Sequence, residues 1–144
     1  MYGIVDYSGR LAKNPKITQY YANSKEFDYS QLPKDIDLFF IDGDHSYEGV
    51  YSDTKNIFSI KKDDAIVIWH DVKNASGYFN PDVLYAISEA LGEQFRDFCV
   101  TDRNICGIYV PEKMIKEFHF LDKQGADDSP LFTYDVSISN YCNA

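Results

Sequence analysis

The sequence predicts an α/β fold: a mainly parallel sheet finished by an antiparallel C-terminal hairpin. Three observations predict it. Residues 36–41 are an apolar run of strand length that ends in Asp42-Gly43-Asp44-His45. Residues 65–69 are a second such run, and it ends in His70-Asp71. Between them lies a stretch with helical spacing, so strand, helix and strand follow one another within about 35 residues as a βαβ unit. Runs rich in β-branched and aromatic residues, without polar alternation, suit strands buried on both faces of a parallel sheet. Ligands of open α/β sheets bind beyond the carboxyl ends of the strands. Two adjacent strands that both end in Asp and His therefore place those groups at one crevice.

Each element has its own warrant. Ser46 is a suitable N-cap, and Tyr47, Val50, Tyr51, Ile57 and Phe58 fall mostly at helical spacing behind it. Lys61-Lys62-Asp63-Asp64 breaks the pattern before the second strand. Asn80-Pro81 reads as an N-cap followed by proline at the first helical position. Val83, Leu84, Ile87, Ala90 and Leu91 then form one apolar face, and Gly92 can end the helix. Residues 95–100 and 105–110 are two β-rich runs joined by Thr101-Asp102-Arg103-Asn104, a hairpin turn. Residues 114–121 form a short helix or strand, and residues 125–130 a loop. Phe132, Tyr134, Val136 and Ile138 alternate with polar residues, as in a half-buried strand or arm.

Composition narrows the class. A chain of 144 residues suits one domain, residues 1–144, with enough length to bury a core. Aromatics at 16% argue against disorder. A net charge of −9 lacks the basic footprint that nucleic acid or an anionic membrane requires, so neither is expected as a partner. No run approaches membrane-spanning length, and no signal peptide opens the chain. Cys99, Cys106 and Cys142 are odd in number and lack CxxC spacing. They read as reduced thiols of a cytoplasmic protein, Cys99 and Cys106 on strands, and not as a zinc site.

Residues 35–72 resemble part of a known family. Ile36-Asp37-Leu38-Phe39-Phe40-Ile41-Asp42-Gly43-Asp44-His45-Ser46-Tyr47-Glu48-Gly49-Val50, then Asp53, then Ile66-Val67-Ile68-Trp69-His70-Asp71, is similar to the fourth-to-fifth-strand region of class I S-adenosylmethionine-dependent methyltransferases. The match departs at Lys62-Asp63-Asp64, where the family usually carries Pro-Gly-Gly in a surface turn. The resemblance implies a Rossmann-like fold. Residues 2–6 resemble its second strand, with Asp6 as the acidic residue on the cofactor ribose. Residues 17–24 resemble its third strand, after which the chain borders the adenine, so Ser24 and Asp42 join Asp6 as the implied cofactor residues. The usual first strand and glycine-rich loop have no counterpart among the eight glycines. The chain is accordingly expected to be a fragment, a truncated paralogue or a sheet completed another way. Open strand edges would then favour a homodimer or a rearranged sheet, with residues 132–138 supplying a strand.

The chemistry centres on the strand ends. Asp42 and Asp71 make an oxygen-rich site suited to Mg²⁺ or Mn²⁺. In the metal-dependent branch of the family, such groups hold an ion that acidifies a substrate hydroxyl. His45 or His70 can take the proton. Structural roles stand beside these: Asp42 as a loop or helix cap, Asp44 at the helix dipole, His45 bonded to backbone, Trp69 in the core or pocket wall, and Tyr47 and Tyr51 in helix packing. Three functions follow. The first is O-methyl transfer from S-adenosylmethionine to a small hydroxylated or sugar-like acceptor. The second is a non-catalytic binding or assembly module. The third is a metal-dependent hydrolase using the Asp/His crevice.

Overall fold

The computed structural model describes residues 14–100 and 104–115. Asp6, the turn at 101–103, Cys142, most of residues 114–121 and the alternating run 132–138 lie outside them. The described elements are β1 (Leu38–Ile41), α1 (Tyr47–Ile60), β2 (Ile66–Trp69), α2 (Pro81–Leu91), β3 (Phe98–Val100), β4 (Gly107–Tyr109) and α3 (Glu112–Ile115), with short 3₁₀ turns at Tyr29–Gln31 and Gly92–Asp97. The four strands form one sheet in the order β1-β2-β4-β3. β1 and β2 run parallel with Ile41 opposite Trp69, and β2–β4 and β4–β3 are antiparallel. The βαβ unit and the closing hairpin are present. Among the described residues the sheet is mixed, with one parallel pair, and not mainly parallel.

Local chemistry explains each boundary. Ser46 caps α1, its Oγ accepting from Gly49 N–H at 3.2 Å. The turn at residues 62–64 carries exposed Asp63 and Asp64, so the departure from the family pattern does lie at the surface. Asn80 precedes α2 and Pro81 opens it, and Gly92 ends it at φ 56°, a left-handed conformation glycine adopts without steric penalty.

The inner face of the sheet is covered by α1. Trp69 is 1% exposed, stacks on Phe58 of α1, and donates from Nε1 to Thr54 Oγ1 at 2.9 Å. Phe39, Ile41 and Val67 are buried with it, and α2 contributes Val83 and Ile87. Tyr47 and Tyr51 do serve helix packing: their rings stack, and Tyr47 also meets Tyr85 of α2.

Four further expectations differ from the structure. β1 is covered on one face, not two: burial alternates along it, and Leu38 and Phe40 stand 50% and 53% exposed, while the outer residues of β2, Ile66 and Ile68, are half-buried. β1 is also an edge strand among the described residues, paired with β2 alone. Residues 17–24 form no strand. Asn14 and Asn23 fold their side chains onto Lys16 N–H and Lys25 N–H, local turns that compete with extended pairing at both ends of the run. Residues 95–97 belong to the 3₁₀ turn before β3. Phe95 and Phe98, three residues apart, stack at 5.1 Å, an arrangement the three-residue repeat favours. Cys99 lies on β3, but Cys106 precedes β4 in a turn closed by its N–H on Asn104 Oδ1. No described helix is long and apolar enough to cross a membrane.

Candidate functional site

Pairing of β1 with β2 brings the two strand ends together. His70 N–H donates to the carbonyl of Ile41 at 2.9 Å, which sets His70 beside Asp42. Consecutive side chains on a strand point to opposite faces. His70 and Asp71 nevertheless converge, because Asp71 leaves the strand at φ 54°. A non-glycine residue in that left-handed region costs about 1–2 kcal/mol. Among the described residues Asp71 is the non-glycine residue at positive φ, and it belongs to the site.

Asp42, His45, His70 and Asp71 form one cluster, each with a ligand atom within 4.8 Å of all the others. His45 Nε2 lies 3.2 Å from Asp71 Oδ2 and 3.5 Å from Asp42 Oδ1. His70 Nδ1 lies 3.2 Å from Asp42 Oδ1 and 3.2 Å from Asp71 Oδ1. That nitrogen is buried, and neither carboxylate accepts a hydrogen bond from it. Phe40 stands edge-on to the His70 ring from the open face of the sheet.

The loop that presents Asp42 and His45 is held by Asp44. Its Oδ1 accepts from Ser46 N–H at 3.0 Å, and its Oδ2 accepts from Ser46 Oγ at 2.8 Å. Lys25 Nζ adds an ion pair at 3.4 Å. The two bonds from Ser46 hold the Asp44 carboxyl below its usual range, with Lys25 a smaller cause. In a capping box, the residue at the third helical position binds the N-cap N–H. Here that position is Gly49, and Asp44 does the binding instead. A Cβ on Gly49 would lie 2.7 Å from the Asp44 carbonyl oxygen and 2.8 Å from its Cβ and Cγ. Glycine at the third helical position was a readable sign of this close approach that the sequence reading did not use.

An open cleft of about 320 Å³ adjoins Asp71 and is lined by Lys73, Asn74, Phe79, Asn80 and Pro81. It is shaped by the loop between β2 and α2. Asn74 Oδ1 accepts from Ser76 N–H and Tyr78 N–H, and Lys73 bridges to Phe79. Cys106 lies within reach of the charges of the cluster. Burial pushes its thiol up, and the charges of Asp71 and Asp42 push it further. The sequence placed Cys106 on a strand and gave no sign of this neighbourhood.

Of the sequence-predicted site residues, the fold unites Asp42, His45, His70 and Asp71. Ser24 sits apart in a turn next to Lys25, and the Lys25–Asp44 ion pair lays that turn against the loop of the cluster. Asp42 is not a helix cap: Ser46 has that role, and Asp42 faces the two imidazoles.

Residues 7–72 match the family model described as a methyltransferase domain, a span that contains all four cluster residues. That span is similar to the methyltransferase-domain family. No curated protein and no solved structure matches the chain. The methyltransferase match covers β1, α1 and β2 and ends just past Asp71, so the cleft walls at residues 73–81 lie beyond it.

Proposed function

We propose that the chain is an S-adenosylmethionine-dependent methyltransferase domain. It methylates a hydroxyl of a small hydroxylated or sugar-like acceptor, with a divalent cation at Asp42 and Asp71. The observation that supports this reading is the convergence of two carboxylates and two imidazoles at the ends of parallel strands, inside the span that matches the family. Bound S-adenosylmethionine would supply an electrophilic methyl group, and a bound divalent cation would make a nearby hydroxyl more acidic at neutral pH.

The chain's own groups have the following roles. The cleft beside Asp71 takes the acceptor, with Phe79 and Pro81 as its apolar wall. Its polar lining orients the hydroxyl, and much of the rate enhancement comes from that positioning. His45 is exposed at the rim with Nε2 3.2 Å from Asp71, and it accepts the hydroxyl proton. Asp42 lies at the end of β1, where cofactor and cation sites adjoin, and Ser24 borders the cofactor from the neighbouring turn. Asp6 completes the cofactor set on this reading.

The test is a single-turnover assay with labelled S-adenosylmethionine, Mn²⁺ or Mg²⁺, and a panel of phenolic and sugar acceptors. Labelled acceptor that is lost in Asp42→Asn is the expected result. One observation favours a second reading, a non-catalytic binding module: no glycine-rich turn follows a strand among the described residues. Affinity for S-adenosylmethionine is therefore expected to be weak. Absence of product at saturating cofactor, from a folded protein, would establish that second reading.

A further inference from the structure

We infer that His70 Nδ1 is itself a cation ligand, so the centre is a mixed nitrogen–oxygen site selective for a first-row transition ion over Mg²⁺ or Ca²⁺. The inference rests on the cation site proposed above and specifies its donor set. The carboxylates alone would make a hard oxygen site of the kind Mg²⁺ takes. An imidazole nitrogen in the first set of ligands shifts preference toward Mn²⁺, Fe²⁺, Co²⁺ or Zn²⁺.

Two features of the same geometry point to His70 and not to the acids alone. First, Nδ1 is buried and unbonded although Asp42 Oδ1 and Asp71 Oδ1 both lie 3.2 Å away. A buried nitrogen that donates to neither carboxylate can serve, as neutral imidazole, as a ligand to an ion held beside them. Second, those separations fit shared coordination. Ligand atoms at about 2.0–2.1 Å from one ion are about 3.3 Å apart in a tetrahedron and about 2.9 Å apart along octahedral edges. His45 differs, being more exposed, and it has no orphaned buried nitrogen. It keeps the proton-accepting role.

The local backbone supports the assignment. His70 is fixed by its N–H on Ile41, and the left-handed turn at Asp71 brings the next carboxylate to the same side. Asp42, His70 and Asp71 thereby present three donors from two adjacent strand ends.

The experiment titrates chelator-treated full chain with Mn²⁺, Co²⁺, Mg²⁺ and Ca²⁺, reading melting temperature and calorimetric affinity, with the visible bands of Co²⁺ as a direct report on ligation. Co²⁺ and Mn²⁺ are expected to bind at least about tenfold tighter than Mg²⁺. His70→Ala and His70→Gln should each weaken Co²⁺ by about tenfold or more and alter its spectrum. His45→Ala should weaken it less. The metal-free melting temperature of each variant shows whether it folds. Mg²⁺ binding as tightly as Co²⁺ would overturn the inference and leave the methyl-transfer reading standing, as would His70 variants with unchanged Co²⁺ affinity. Failure of every cation to bind would remove the cation from both, and the labelled-cofactor assay would then decide methyl transfer alone.

Discussion

Replacing Gly49 with alanine sets two effects of opposite sign against each other. Gly49 occupies the first turn of α1, and alanine exceeds glycine in helix propensity by about 1 kcal/mol. An ordinary helical glycine would therefore gain stability from Gly49→Ala. At this position the new Cβ meets the Asp44 carbonyl oxygen at 2.7 Å and its Cβ and Cγ at 2.8 Å. All three contacts are closer than side chains tolerate, and two involve atoms near the backbone that cannot swing away. Relief requires the loop to retreat, and overpacking of this kind costs about 1–3 kcal/mol. Retreat also loosens the two hydrogen bonds between Asp44 and Ser46, each with a net value of about 1 kcal/mol.

The expected net effect is destabilisation by about 1 kcal/mol, measured by urea denaturation at neutral pH. The functional consequence is larger, because Asp42 and His45 sit on the displaced loop. A shift in their carboxylate and imidazole should weaken cation binding in the same preparation, read by calorimetry. A variant that gains about 1 kcal/mol and binds cations as the parent does would refute the reasoning. Gly49 would then be a helix residue with room to spare, and Asp44 would be no brace.

Other outcomes follow from single contacts. Thr54→Val should leave the buried Trp69 N–H without its 2.9 Å acceptor and cost about 1–3 kcal/mol by denaturation; a neutral change would show that the indole finds another partner. Asp71→Asn should fold better than Asp71→Ala by about 1 kcal/mol, because asparagine tolerates the left-handed φ of 54° that alanine resists, while both lose cation stabilisation; equal melting temperatures would argue against backbone strain there. Tyr47 donates to Glu89, which raises its phenol from 10.0 to about 12, so its contribution is intact below pH 10 and disappears as pH rises through about 12. Glu89 is lowered by its bonds from Tyr47 and Tyr85, so its contribution holds above the ordinary carboxylate range and is lost as pH falls below it. Glu89→Gln should flatten both limbs of the stability–pH curve, and an ultraviolet titration that shows no phenol near 12 would remove the basic limb.

The legible parts of the fold were those set by local sequence. Ser46, Pro81 and Gly92 mark their helix ends through chemistry that acts within one turn, and the cluster was legible because strands β1 and β2 carry their polar residues at the carboxyl end, where register aligns them. What escaped depended on partners distant in sequence. Whether Leu38 and Phe40 lie under a second layer is decided by what packs on that face, and nothing within residues 36–41 encodes it. Residues 17–24 carry β-rich side chains, yet Asn14 and Asn23 offer the backbone local turns at less entropic cost than pairing across the sheet. The division of labour between the imidazoles was also hidden. His45 and His70 each stand one residue from an aspartate, yet the fold buries a nitrogen of one and leaves the other ring at the rim. Local rules break at Asp71, where a non-glycine residue is held at positive φ, and that break is what turns two strand ends into one site.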